Sequence, residues 1–196
     1  MEPEARAEKA SQPYLLLALS VLFLLGVCVG IGMVFQLTLA QKATLARSFQ
    51  AYFQVQPSTS IVNLFWMNLK WIICIVVFGY TVIGLPFVFV LNVLKGILMG
   101  FTLASFIDQY AWKGVLFGVV TLLPSALFIV PALFFVSVAS VTMASRFLRT
   151  RTFRPNSWPL LRTFAVMVVV TAFAACFESV VLPRILATLT PWLLAN

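Results

Sequence analysis

Apolar residues fill five long stretches of this chain, and polar or charged residues are pushed into the gaps between them. The first stretch has its apolar core at residues 14–35. The others run over 61–85, 86–107, 114–145 and 160–182. A helix rising 1.5 Å per residue needs about 20 residues to cross a hydrocarbon core of about 30 Å. The pattern therefore predicts an all-α, polytopic membrane bundle of about five transmembrane helices. Residues 1–13 form a short cytoplasmic tail and residues 14–196 a single transmembrane domain. A signal-peptide apolar region covers only about 7–15 residues. The first stretch is longer and has no small-residue cleavage site close behind it, so it is expected to be retained.

The interruptions carry the topology. Gly84-Leu85-Pro86 breaks the apolar run, because proline lacks the amide that would continue a helix, and a tight turn is expected there. Residues 108–113 read as a short polar loop. The run 114–145 contains Pro124 and Pro131. One kinked span is the expectation, and two half-helices meeting inside the membrane are the alternative. Pro183-Arg184 opens a short apolar tail. Between the first two spans, Leu45, Phe49, Tyr52 and Phe53 recur at helical spacing with Gln and Ser opposite. That predicts a short amphipathic helix. Two readings stand: it lies on a membrane surface or against a partner, or it covers its own bundle.

Composition strengthens the membrane reading. The chain is 62% hydrophobic and 9% charged, against about half and a quarter in soluble domains. A soluble domain, a disordered chain and a secreted disulfide scaffold are excluded. Cys28, Cys74 and Cys176 each lie within apolar runs and behave as small hydrophobes. The net charge of +8 comes from cations gathered at the edges of the runs. It reads as a topology signal and headgroup anchor toward membrane lipid, not as a nucleic-acid surface. Arg146, Arg149, Arg151, Arg154 and Arg162, with no acid among them, place the segment before the last span in the cytoplasm. Alternation then puts the N-terminus inside and the C-terminus, the 36–60 connector and the 108–113 loop outside.

The chemistry of enzymes is sparse. The chain has no histidine and five acids in all, three of them in the first eight residues. Zinc-protease motifs, serine–histidine dyads, paired catalytic aspartates and phosphate-binding loops are missing. No enzyme activity, cofactor, metal or small-molecule substrate is expected. Three charges fall inside spans: Lys70, Lys95 and Glu178. Such groups are costly in lipid and need partners. Lys70 and Glu178 are candidates for an ion pair, with snorkelling of Lys70 as the equal alternative. Lys95 is deeper and needs an internal partner, a water-filled cavity or a carboxylate from another protein. Gly26/Gly30, Gly96/Gly100 and Gly114/Gly118 are three GxxxG pairs, each suited to close helix approach.

A set of ordered short motifs carries a resemblance. These are Asn68-Leu69-Lys70, Gly79, Val82-Ile83-Gly84-Leu85-Pro86, Leu94-Lys95-Gly96 and Gly100-Phe101-Thr102. They continue with Trp112-Lys113-Gly114, Leu123-Pro124, Ile129-Val130-Pro131-Ala132, Phe177-Glu178-Ser179 and Pro183. In order and spacing they resemble the stage II sporulation protein M family over nearly the whole chain. The resemblance implies a membrane anchor at the sporulation septum of endospore-forming bacteria. It also implies partners resembling the peptidoglycan-degrading stage II sporulation proteins D and P, whose wall remodelling drives engulfment. The residues themselves suggest Leu45, Phe49, Tyr52 and Phe53 as a partner surface. The competing expectation is a membrane subunit of a transporter working with a separate ATPase, since prolines and a deep lysine also mark transporter helices.

Overall fold

The computed structural model describes the backbone of residues 2–55, 61–79, 81, 84–150 and 158–194. Side chains 2–11, 50–55, 124–125, 146–150, 181–183 and 185–194 lie outside that description. The elements are α1 (Glu2–Phe35), α2 (Leu39–Val55), α3 (Ile61–Gly79), α4 (Leu85–Thr150) and α5 (Trp158–Leu194). Among the described residues there is no strand. Helices alone can satisfy every backbone amide and carbonyl inside a lipid layer without a closed barrel. Five stretches are long and apolar enough to cross a membrane, starting at Gln12, Ile61, Leu85, Ala126 and Trp158.

The protein is an all-α polytopic bundle, as the apolar pattern predicts. α4 holds two of the expected spans. It breaks at Ala111, whose φ of 49° and ψ of −128° depart from the helix, and the chain doubles back. Phe106 meets Phe117 edge to face with ring centroids 5.3 Å apart. A Cβ on Gly114 would land on the Phe106 carbonyl. The sequence suggests a six-residue loop at 108–113. The structure makes the reversal with one residue, because Gly114 lets the two arms of α4 meet directly behind it. The second arm stays helical past Pro124 and Pro131, so residues 114–145 form one helix and not a re-entrant pair. Neighbouring helices can supply what a proline removes from the ladder.

Two element ends differ from the sequence reading. α3 stops at Gly79, before Gly84-Leu85-Pro86, and Phe78 stacks on Phe87 across the turn at 5.0 Å. α5 continues through Pro183 to Leu194 instead of ending near 182. The core lies between α3, both arms of α4 and α5. Ile72, Ile75, Val88, Leu133 and Val136 are buried together, with Phe164 and Met167 of α5 against them. α1 packs on the outside of α4, where Phe23 meets Phe134 edge to face at 5.6 Å.

Four short polar residues within the spans are satisfied by their own helix. Ser20, Ser105, Thr121 and Thr171 each donate a hydroxyl to the carbonyl four residues back, at 2.7–2.8 Å. This local bond lets serine and threonine sit in lipid without a partner on another helix.

Candidate functional site: a polar interior and a capping platform

The glycine pairs of α1 and α4 lie against each other. A Cβ on Gly26 would strike the Val93 carbonyl, and one on Gly30 the Ile97 carbonyl. Reciprocally, a Cβ on Gly96 would strike the Phe23 carbonyl, and one on Gly100 the Val27 carbonyl. Two GxxxG motifs therefore interlock along parallel helices. This is the close backbone approach that small residues permit in lipid, where the apolar medium supplies no hydrophobic drive between helices. Gly79 rests on Ser140, and Gly84 on the carbonyl of Phe78.

Behind this seam lies a polar interior that the sequence only partly announces. Asn92 is fully buried. Its amide nitrogen donates to the Val88 carbonyl at 2.7 Å and to Ser137 Oγ at 2.8 Å, tying the two arms of α4 together. Its Oδ1 and the hydroxyl of buried Ser140 have no hydrogen-bond partner. Sequence reasoning missed Asn92, Ser137 and Ser140. The signal available was a lone amide in the middle of an apolar run, of the kind that marks an interhelical contact.

One turn further along, half-buried Lys95 places its ammonium over the Trp71 ring of α3, 5.4 Å from the centroid. A cation above an indole face is attracted by the ring quadrupole. The carboxylate of Glu178, on α5, attracts Lys95, and the ammonium of Lys70 repels it. Lys95 thus meets a ring of α3 and the charge of a carboxylate on α5. Lys70, expected near Glu178 in depth, is on the exposed side of α3. Asn68 is half-buried and bonds the Leu64 carbonyl at 3.2 Å. Pro86 and Pro131 are exposed, while the ring of Pro124 lies outside the described residues.

The end of the bundle that carries the Ala111 reversal is covered by α2. Thr38 opens this helix in a capping box: its amide donates to Gln41 Oε1 at 2.9 Å, and the Gln41 amide returns to Thr38 Oγ1 at 3.4 Å. Lys42 forms an ion pair with Asp108 at 2.6 Å. Phe49 packs on Phe106 with centroids 4.8 Å apart. Of the expected partner surface, Phe49 is thus turned inward onto the α4 reversal and Leu45 is half-buried. Tyr52 and Phe53 lie outside the described side chains. The exposed face of α2 is instead formed by Leu39, Thr44, Arg47 and Ser48. Among the described residues, no three or more His, Cys, Asp or Glu side chains gather as metal ligands.

No curated protein and no solved structure matches the chain. A family profile, Stage II sporulation protein M, matches residues 19–183, from the seam-forming part of α1 to Pro183 in α5. The match takes in the interlocked glycines, the Ala111 reversal and the Lys95–Trp71–Glu178 interior, and the chain belongs to the Stage II sporulation protein M family.

Proposed function

We propose that this protein is a non-catalytic membrane anchor. It holds peptidoglycan-degrading partners, resembling stage II sporulation proteins D and P, at the sporulation septum during engulfment. Family membership supports a sporulation-related, multi-pass membrane protein. The observation that carries the anchor reading is the platform formed by α2. An ion pair (Lys42–Asp108), an aromatic contact (Phe49–Phe106) and a capped N-terminus fix it on the reversal of α4. With the arginine-rich segment before α5 in the cytoplasm, this platform faces outward, where wall polymer lies. A rigid presenting surface over a tightly packed bundle suits holding partners more than cycling between two states. The absence of histidine and the scarcity of acids in the sequence support a role without chemistry of its own.

The test is purification in mild detergent from sporulating cells, with partners identified by mass spectrometry. Wall hydrolases should co-purify, and Leu39→Glu with Ser48→Glu on the exposed face of α2 should reduce their recovery. Recovery of an ATPase, or of this chain alone, defeats the anchor reading. The half-buried Lys95 favours a second reading, a transporter subunit whose lysine meets an anionic substrate. Lys95→Met separates the two. A transporter loses flux while remaining assembled, whereas an anchor keeps its partners as long as the bundle folds.

A further inference from the structure

We infer that the exposed face of α3 receives a membrane helix of another protein, and that a carboxylate at mid-membrane depth on that helix pairs with Lys70. Lys70 is the middle residue of the 19-residue α3. At 1.5 Å per residue, roughly 14 Å of helix lies on either side of it. Its side chain is exposed, on the face shared with Asn63, Met67, Cys74 and Val77, which point away from the bundle. An ammonium facing lipid at the centre of a span is a costly placement, and such groups are found paired or in cavities.

Among the described residues no carboxylate forms an ion pair with Lys70. Of its five acids, Glu2, Glu4 and Glu8 precede the first span. Asp108 is paired with Lys42. Glu178 is engaged within the bundle, where it attracts Lys95. Lys70 and Lys95 carry the same sign and repel each other. A second copy of this chain offers the same acids in the same positions, so it does not supply the missing carboxylate either.

A lipid phosphate is out of reach. The midplane is about 15 Å from either headgroup layer, and a fully extended lysine stem spans only about 6 Å. Asn63, two turns above Lys70 on the same face, adds a second group able to hydrogen-bond across a helix pair. The complementary partner is therefore an apolar helix with one Asp or Glu near its centre. This inference rests on the anchor reading, in which the chain holds other membrane proteins, and it specifies how one of them is gripped.

The experiment places a photo-crosslinking phenylalanine analogue at Trp66 or at Cys74, both on exposed positions of α3, in the full-length protein in its native membrane. The expected product is a crosslink to a protein whose membrane span contains Asp or Glu. Lys70→Met should lower its yield about tenfold, the scale of one lost intramembrane polar contact. Lys70→Arg should preserve the yield. Lys70→Glu combined with the partner's acid changed to Lys should restore it. Unchanged elution and thermal midpoint of Lys70→Met separate loss of grip from loss of fold. If that variant fails to fold, the charge-swapped pair decides alone.

Four results overturn the proposal: crosslinks only to lipid, crosslinks only to a second copy, a partner span without an acid, or a yield insensitive to Lys70→Met. Rescue of Lys70→Glu by Glu178→Lys within the chain overturns it as well. A wild-type protein that captures no hydrolase defeats the anchor reading. Hydrolase recovery untouched by Lys70→Met defeats only the carboxylate.

Discussion

The α1–α4 seam and the α3–α4–α5 interior hold helices together in opposite ways. Along the seam, contact depends on missing side chains: Gly26, Gly30, Gly96 and Gly100 let carbonyls of one helix lie where a Cβ of the other would be. In the interior, contact depends on polar side chains: Asn92 on Ser137, Lys95 over Trp71, and Glu178 attracting Lys95. Shape complementarity has no tolerance for added volume. A polar contact in lipid contributes modestly, because separated helices also find partners for their polar groups. The seam should therefore be the brittle region and the interior the adjustable one.

The largest effect is expected from overfilling the seam. Gly96→Leu drives a side chain into the Phe23 carbonyl of α1 and should destabilise the bundle by about 3 kcal/mol, at the upper end of overpacking costs. The thermal midpoint in detergent reads this out, together with loss of a single sharp elution peak. Gly32→Ala is the control, since nothing lies within 4 Å of the added Cβ. It should raise stability by up to about 1 kcal/mol, because alanine is the better helix former. An equal loss from both variants breaks the contrast between seam and interior.

A smaller effect is expected from the interior. Asn92→Leu removes the bond to Ser137 but keeps most of the volume, and it also removes the unpartnered Oδ1. The cost should be about 1 kcal/mol, as for interhelical polar contacts measured in membranes. Asn92→Ala should cost more, because a cavity joins the lost bond. If Asn92→Leu proves as damaging as Gly96→Leu, the interior is not the adjustable region.

The smallest effect is expected outside the bundle. Lys42 and Asp108 are 27% and 26% exposed, so a double-mutant cycle should give a coupling of about 0.5 kcal/mol. That coupling should weaken as salt is added. A salt-independent coupling would place the pair in a more enclosed setting than its exposure indicates.

Some of this contrast is legible before folding. GxxxG at 26/30 and 96/100 announces close approach, and the sequence suggests internal packing for such motifs. It does not say that these two pairs meet each other, because spacing fixes a face and not its neighbour. Lys95 announces a need for a partner, yet Trp71 and Glu178 lie on other helices, and only rotation about the helix axes brings them to it. Lys70 and Glu178 look matched by depth along the chain. Depth says nothing of azimuth, and α3 turns Lys70 outward. Phe49 shares a helical stripe with Leu45, a pattern equally consistent with a partner or with the bundle itself. Its contact with Phe106 is decided by the reversal at Ala111, which no glycine or proline at that position foretells.

The sequence by itself determined the membrane class, the helical fold and the approximate positions of the breaks. Hydropathy and backbone chemistry act within about 20 consecutive residues, and lipid leaves a helix as the one open-ended way to satisfy them. The tertiary structure decided which glycines interlock, which lysine is enclosed and which faces lipid, and where α2 rests. Those outcomes depend on the rotation and pairing of whole helices, which are set by packing among residues far apart in the chain.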